Sequence, residues 1–407
     1  MVRRSTALTF VVLATATATT TGVANSSPEL APPAPQASVS QGQGAGQAQR
    51  VLLTDRDDPI AKVVDLRTDR VIGQFPLTGT HLTFAHHGED FGYVVQGDFG
   101  LTSVVDAAPR VPTMIGTSVR GSTPIHFVAN DGRVAIFNDG TGVADVLLEE
   151  TLDRRNPRTW RFETARPHHG VAVPTKKRVI TSAPNPGDDA DRLPVGVDVR
   201  RYDGSIAQRF RDCPRLHGEA ESGTTIAFGC VDGAIVLTWN GNRYAKAKLD
   251  NPTGAPAGRI GLLDGQDGVP FFIGNFGNRN LSKVDPAAGA ISVHPLDGLI
   301  IGDDEGFEVG VLHNFDLLKD GSGRFVVLTT NGQLHLFDGS TMTLVRSVQV
   351  VAPFLNDGPR PRLGVGDRVA VVTDPRDGRI TEVAVPSLRV DNRIRVGGAP
   401  YTVAVLD

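Results

Sequence analysis

The stretches VVDLRTDRVIGQFPL (63–77), SVVDAAPRVPTMI (103–115), VRRYDGSIAQRF (199–210), LSKVDPAAGAISVHPL (281–296), LHLFDGSTMTLVRSV (334–348) and ITEVAVPSLRVDNRI (380–394) share one pattern. An apolar extended run ends in a polar turn, in most copies with Gly or Pro, and then resumes. Such a unit reads as two strands of a β-hairpin, and its recurrence along a chain is the mark of a repeat architecture. Less regular copies lie at VLLEETLDRRNPRTWRFET (146–164) and VLTWNGNRYAKAKL (236–249), giving eight units. Between them runs a second repeated piece, an inner strand, a turn and another apolar strand, as in GTHLTFAHHGEDFGYVVQ (79–96), RPHHGVAVPTKKRVITS (166–182) and PRLHGEAESGTTIAFGC (214–230). Hairpin plus inner pair makes a four-stranded blade of roughly 40–45 residues.

The last inner piece, APYTVAVLD (399–407), stops after one strand, whereas VLLTDRDDPIAKVVDL (51–66) begins with the strands that it lacks. The two ends therefore complete one blade, and the expected fold is all-β: an eight-bladed β-propeller closed by pairing of N- and C-terminal strands. Closure removes sheet edges that would otherwise recruit other chains. The composition agrees, with 46 Gly and 27 Pro suited to many tight turns and no long amphipathic helical pattern.

Residues 1–24 carry Arg3 and Arg4 ahead of an apolar run through Phe10, Val11, Val12 and Leu13. This is the arrangement of a secretory signal peptide, and the run is too short for a comfortable membrane span. Residues 25–49, rich in Pro, Ala, Gln, Ser and Gly, read as a disordered linker, leaving 50–407 as one propeller domain. The expected location is periplasmic, extracytoplasmic or secreted, with no membrane insertion after signal removal and a monomeric state. The formal charge of −4 falls to near −6 once Arg3 and Arg4 leave, which offers no basic stripe and argues against nucleic acid as a partner. The two cysteines, Cys213 and Cys230, match no zinc spacing, so in an oxidising compartment a disulfide is the leading reading over a thiolate metal pair.

Five of the ten histidines, His81, His126, His169, His217 and His313, align at one position before the inner strand. Inner strands line the central channel of a propeller, so these rings are expected to converge there. Imidazole is a favoured zinc ligand, and three or four such donors complete a tetrahedral site. His168 and Glu219, in the HHG and HGE stretches, are the nearest additional ligands, and Asp303, Asp304, Glu305 and Glu308 form an acidic approach to His313. His86 and His87 read as a solvated turn, with a separate exposed metal site as the alternative. No nucleophile elbow, phosphate loop, haem motif or zinc-protease helix occurs, so no catalytic residue is assigned. Two other functions compete: a lactonase- or quinoprotein-type propeller enzyme using a metal with Glu219 as general base, and a metal-free surface interaction propeller.

The stretch RPHHGVAVPTKKRVI followed by RFRDCPRLHGEAESGTTIAFGCVDGAIVL, and HLTFAHHGEDFGYVVQGD before it, resemble the AztD family of periplasmic or secreted zinc metallochaperones from about residue 50 onward. The resemblance implies an eight-bladed propeller that binds Zn2+ and passes it to the solute-binding protein of a zinc ABC importer. It places His169, His217 and the paired Cys213 and Cys230 inside the matching motifs. Residues 25–50 lack the histidine-rich segment that some members carry.

Overall fold

The computed structural model describes residues 49–406 apart from 188–191, 278, 297–298, 300–313 and 355–358. The signal and linker stretches up to residue 48, His313 and the four acidic residues before it lie outside the described residues. Among the described residues, thirty-two strands form eight four-stranded antiparallel sheets. Blades 2 to 8 are each built from four consecutive strands. Their inner strands are Thr83–His87, Pro124–Asn130, Ala172–Pro174, Glu219–Ser222, Leu263–Asp264, Phe315–Leu317 and Leu363–Val365. Blade 1 joins Arg50–Asp55, Ile60–Asp65 and Arg70–Pro76 to the C-terminal Pro400–Leu406, which pairs with Arg50–Asp55. The closure expected from the repeats is therefore present.

Side chains at that seam hold the two ends together. Thr54 and Thr402 share a hydroxyl hydrogen bond of 2.5 Å, and Asp55 accepts from Lys62 Nζ and the Ala399 amide, each at 3.0 Å. All four side chains are buried or nearly so, and the two bonds to the Asp55 carboxylate are charge-assisted, which makes them stronger than the neutral threonine pair.

The core lies between blades, because each sheet has two covered faces. Ile180 and Val197 of blade 4 pack with Ile226, Phe228 and Ile235 of blade 5, all fully or almost fully buried. Each such side chain contributes about 1.5–3 kcal/mol of burial. The outer strands are where polarity returns; in Thr343–Gln349, Leu344 and Val345 stand exposed. Cys213 and Cys230 are joined in a buried disulfide with a Cα–Cα distance of 5.0 Å, which ties the loop entering blade 5 to that blade's second strand. Among the described residues no helix is long and apolar enough to cross a membrane.

Candidate metal centre

Three consecutive blades deliver one histidine each to a common point. The potential ligand atoms of His126, His169 and His217 all lie within 4.8 Å of one another. His169 Nε2 and His217 Nε2 are 3.2 Å apart. Two bonds of about 2.05 Å from a tetrahedral zinc would separate their nitrogens by roughly 3.3 Å, so the pair already stands at ligand spacing. The His126 ring lies 4.6 Å from that of His169 and 5.8 Å from that of His217, centre to centre.

The rings are held from behind. His169 Nδ1 donates to Asp139 Oδ2 at 2.5 Å, and His217 Nδ1 donates to the Gly261 carbonyl at 2.5 Å. Each bond fixes the tautomer that leaves Nε2 with a lone pair, the usual way a second group orients an imidazole ligand. Asp139 also accepts from the Gly170 amide at 3.4 Å. His126 Nδ1 is buried with no hydrogen-bond partner, a position that costs free energy unless something is bound there. Burial, followed by the neighbouring His169 and His217, pushes His126 well below the usual imidazole range, and burial lowers His217. Both are thus neutral near pH 7. A ligand that need not shed a proton binds metal more readily.

Local backbone chemistry explains the HHG and HGE motifs. At Gly170 any Cβ would stand 2.4 Å from Ser182 Oγ and 2.5 Å from His168 Nε2. Gly218 has φ of +78°, a left-handed conformation that lets the chain turn directly after His217.

The single register expected for five histidines is corrected by the strand pairing. His126 lies inside its inner strand opposite Phe137, after a bulge at Pro124/His126. His169 and His217 precede theirs, their amides bonding the Arg192 and Gly229 carbonyls. His81 is not brought to the centre: its side chain is 77% exposed and meets Asp98. Leu82, at φ of +47°, redirects the chain between His81 and the strand. His168 is buried and fully engaged, Nδ1 with the Arg166 carbonyl at 3.0 Å and Nε2 with Ser182 Oγ at 2.8 Å, so it supports the motif without offering a free nitrogen. Glu219 lines the channel near His169 but is not one of the three converging ligands. His86 and His87 sit in the inner strand of blade 2 rather than a solvated turn, with His86 stacked on Phe127 at 4.7 Å. Asp139 and the Gly261 carbonyl escaped the sequence reading. A lone Asp after Asn138 carries no pattern, and a backbone oxygen carries no residue type.

No protein-family model matches the chain. A relative named zinc chaperone AztD, from Citrobacter koseri, is 28% identical over 378 residues, which cover 88% of this chain and 86% of the relative. The chain is AztD-like. Two solved structures of Citrobacter koseri AztD, one described as the apo form, superpose with TM-scores of 0.77 and 0.78 at 28% and 27% identity. Each alignment covers 88% of this chain and 97% of the AztD chain. The dihydro-heme d1 dehydrogenase NirN shares the fold alone, at a TM-score of 0.56 and 13% identity over 88% of this chain and 75% of that one. The AztD resemblance thus spans the propeller as a whole, including the three blades that carry His126, His169 and His217.

Proposed function

We propose that this chain is a zinc metallochaperone that works outside the cytoplasm, binding Zn2+ on His126, His169 and His217 and passing it to the solute-binding protein of a zinc ABC importer. The observation that carries the reading is the Nε2 pair of His169 and His217, 3.2 Å apart and each fixed from behind. The all-imidazole donor set suits zinc as it also suits copper and nickel, and the choice of zinc among them is supported by the name of the AztD relative. A buried disulfide fits an oxidising compartment.

The chemistry suits transfer as well as capture. Three protein donors leave a tetrahedral ion one open position, and the His169 side chain is 30% exposed. An incoming ligand from an acceptor can enter that position before any of the three imidazoles lets go, so the ion never has to pass through bare water. The test is metal analysis of zinc-loaded protein followed by mixing with an apo solute-binding protein. One equivalent bound, lost in the His169→Ala, His217→Ala double variant, and acceptor loading faster than free dissociation are expected. Zinc retention unchanged in the double variant overturns the site, and transfer limited by release into solution overturns the chaperone role.

One observation favours a second reading. Burial pushes Glu219 up to about 7, the range useful to a general base beside a metal. Chelator-sensitive hydrolysis of lactones or phosphoesters, abolished by Glu219→Gln, would establish an enzyme instead. The relative named zinc chaperone AztD supports the non-catalytic reading. Stability indifferent to both zinc and chelator would point to a metal-free interaction propeller.

A further inference from the structure

Blades 7 and 8 enclose a cleft that plays no part in the metal centre. Its volume is about 690 Å³, within the roughly 300–1,000 Å³ typical of small-molecule sites. One side is apolar, formed by Val350, Val351, Ala352 and Pro353 where the chain leaves the outer strand of blade 7. The other side is the outer hairpin of blade 8, Arg379–Ala384 with Arg389–Arg395. Bonds between the two sides give the cleft a fixed shape. Arg376 Nε pairs with Asp374 at 3.0 Å, and its terminal nitrogens donate to the Pro353 and Ala352 carbonyls at 2.7 and 2.9 Å. Thr381 Oγ1 donates to the Val350 carbonyl at 3.0 Å.

The hairpin carries more positive charge than its surroundings offset. Arg379 stands directly opposite Arg395, and Thr381 opposite Arg393. Opposed residues, and residues two apart on one strand, share a face, so three guanidinium groups gather on one side of the sheet. Like charges directly opposite one another weaken strand pairing, and this arrangement therefore works against the fold. Among the described residues one carboxylate, Asp377, meets the group: its Oδ2 is 3.1 Å from Arg379 Nε. That nitrogen is sealed from solvent, yet it lacks the alignment of a hydrogen bond to any partner. Arg393 reaches the Gln349 carbonyl at 3.5 Å, the limit of a hydrogen bond. No described carboxylate lies within 4.0 Å of Arg393 or Arg395. Three cations against one anion leave an excess of two positive charges beside an apolar surface.

We propose that this cleft binds a small organic phosphate monoester, its phosphate on Arg379 and Arg393 and its carbon body against Val350, Val351 and Pro353. Arginine presents paired N–H groups that match two oxygens of a phosphate at once, and such charge-assisted pairs are the strong ones. A phosphate monoester is close to a dianion at neutral pH, which matches the excess of two charges, whereas a monocarboxylate leaves one of them unmet. Arg395 contributes charge from beside the cleft. Arg376 shapes the cleft without binding, because its donors are already spent on Asp374, Ala352 and Pro353. The inference does not depend on zinc delivery, since the three histidines belong to blades 3, 4 and 5.

The probes are phenyl phosphate, inorganic phosphate and benzoate, titrated by calorimetry into the full propeller at matched ionic strength. Wild type is expected to take one equivalent of phenyl phosphate. Inorganic phosphate, which lacks the apolar body, and benzoate, which lacks the second charge, should each bind at least tenfold more weakly. Arg393→Gln should weaken phenyl phosphate at least tenfold, and Arg393→Lys, which keeps the charge but not the paired donors, should recover part of that loss. Arg395→Gln removes one of two opposed like charges, so it should raise the melting temperature of the ligand-free protein while weakening phenyl phosphate. A rise in stability together with a loss of binding is the reverse of a folding defect. The His169→Ala, His217→Ala double variant should bind phenyl phosphate as wild type does, so failure of the zinc centre and failure of this cleft are read separately. Phenyl phosphate binding that is unchanged in Arg393→Gln overturns the site. Benzoate binding as tight as that of phenyl phosphate overturns the ligand class. Binding that is equal for all three anions and lost at about 0.15 M salt, where exposed charges are screened, shows unspecific attraction and overturns the proposal.

Discussion

Asp139 stands behind His169, its carboxylate 2.5 Å from Nδ1, while the opposite nitrogen of the same ring faces His217. The ring's orientation and tautomer therefore depend on a residue of the neighbouring blade that need not touch the metal. Asp139→Asn keeps size and shape but replaces a charged acceptor with a neutral amide. It is expected to weaken zinc binding by about 10–100-fold, the usual cost of losing such support, with little change in thermal stability of the apo protein. Competition against a chromophoric chelator measures the affinity, and an unchanged value would show that Asp139 is not a positioning residue.

The disulfide is expected to matter to the metal as well as to the fold. Cys213 and Cys230 are 17 residues apart and enclose His217. A cross-link over a loop of this length is worth about 3 kcal/mol in chain entropy. The Cys213→Ser, Cys230→Ser variant should lose stability of that order in denaturant melts. Its zinc affinity should also fall, because His217 is then carried by a looser segment. Equal affinity in the two proteins would show that the loop's own hydrogen bonds suffice.

His335 gives a pH signature remote from the metal ligands. Burial pushes it down to about 4, and both ring nitrogens are occupied, by Thr329 at 2.8 Å and Ser347 at 2.7 Å. The unfolded chain protonates this group near 6.5, while the folded chain resists until about 4. Between those values the unfolded state binds more protons, so stability falls as pH falls, by at most about 1.4 kcal/mol per pH unit from this one group. His335→Gln cannot titrate. The difference between wild-type and variant melts should therefore shrink in that direction from pH 7 to pH 4, and a constant difference would contradict the assignment.

Ring closure can be tested directly by deleting residues 400–407. The deletion removes the inner partner of Arg50–Asp55, which stays paired with Ile60–Asp65 on its other side, and so exposes a strand edge. It should abolish the cooperative melt and promote association, as read by scattering. A monomeric deletion variant that melts like wild type would mean that the other contacts of blade 1 are enough.

The propeller was legible because its signals are local. Alternation, Gly-rich turns and the half-repeats at the two termini all survive in a linear reading. The site was legible only in part, since convergence depends on backbone features that an alignment of the repeats does not see. The bulge at Pro124/His126 moves one histidine along its strand, and the left-handed Leu82 turns His81 away. His168 looked like a spare ligand because adjacent histidines are indistinguishable in sequence, yet Ser182 and Arg166 claim both of its nitrogens. His86 looked like a turn residue because HHGED is polar. Its burial comes from Phe127, contributed by another blade.

The three converging imidazoles belong to blades 3, 4 and 5, whereas the ends of the chain are sewn together in blade 1. An ion at that point is a clasp on one arc of a hoop whose buckle lies elsewhere. A slight outward lean of the middle wedge would slacken the clasp while the buckle stays fastened. An ion held there could leave without the ring coming apart, so under the proposed role binding and release need not be taxed by refolding.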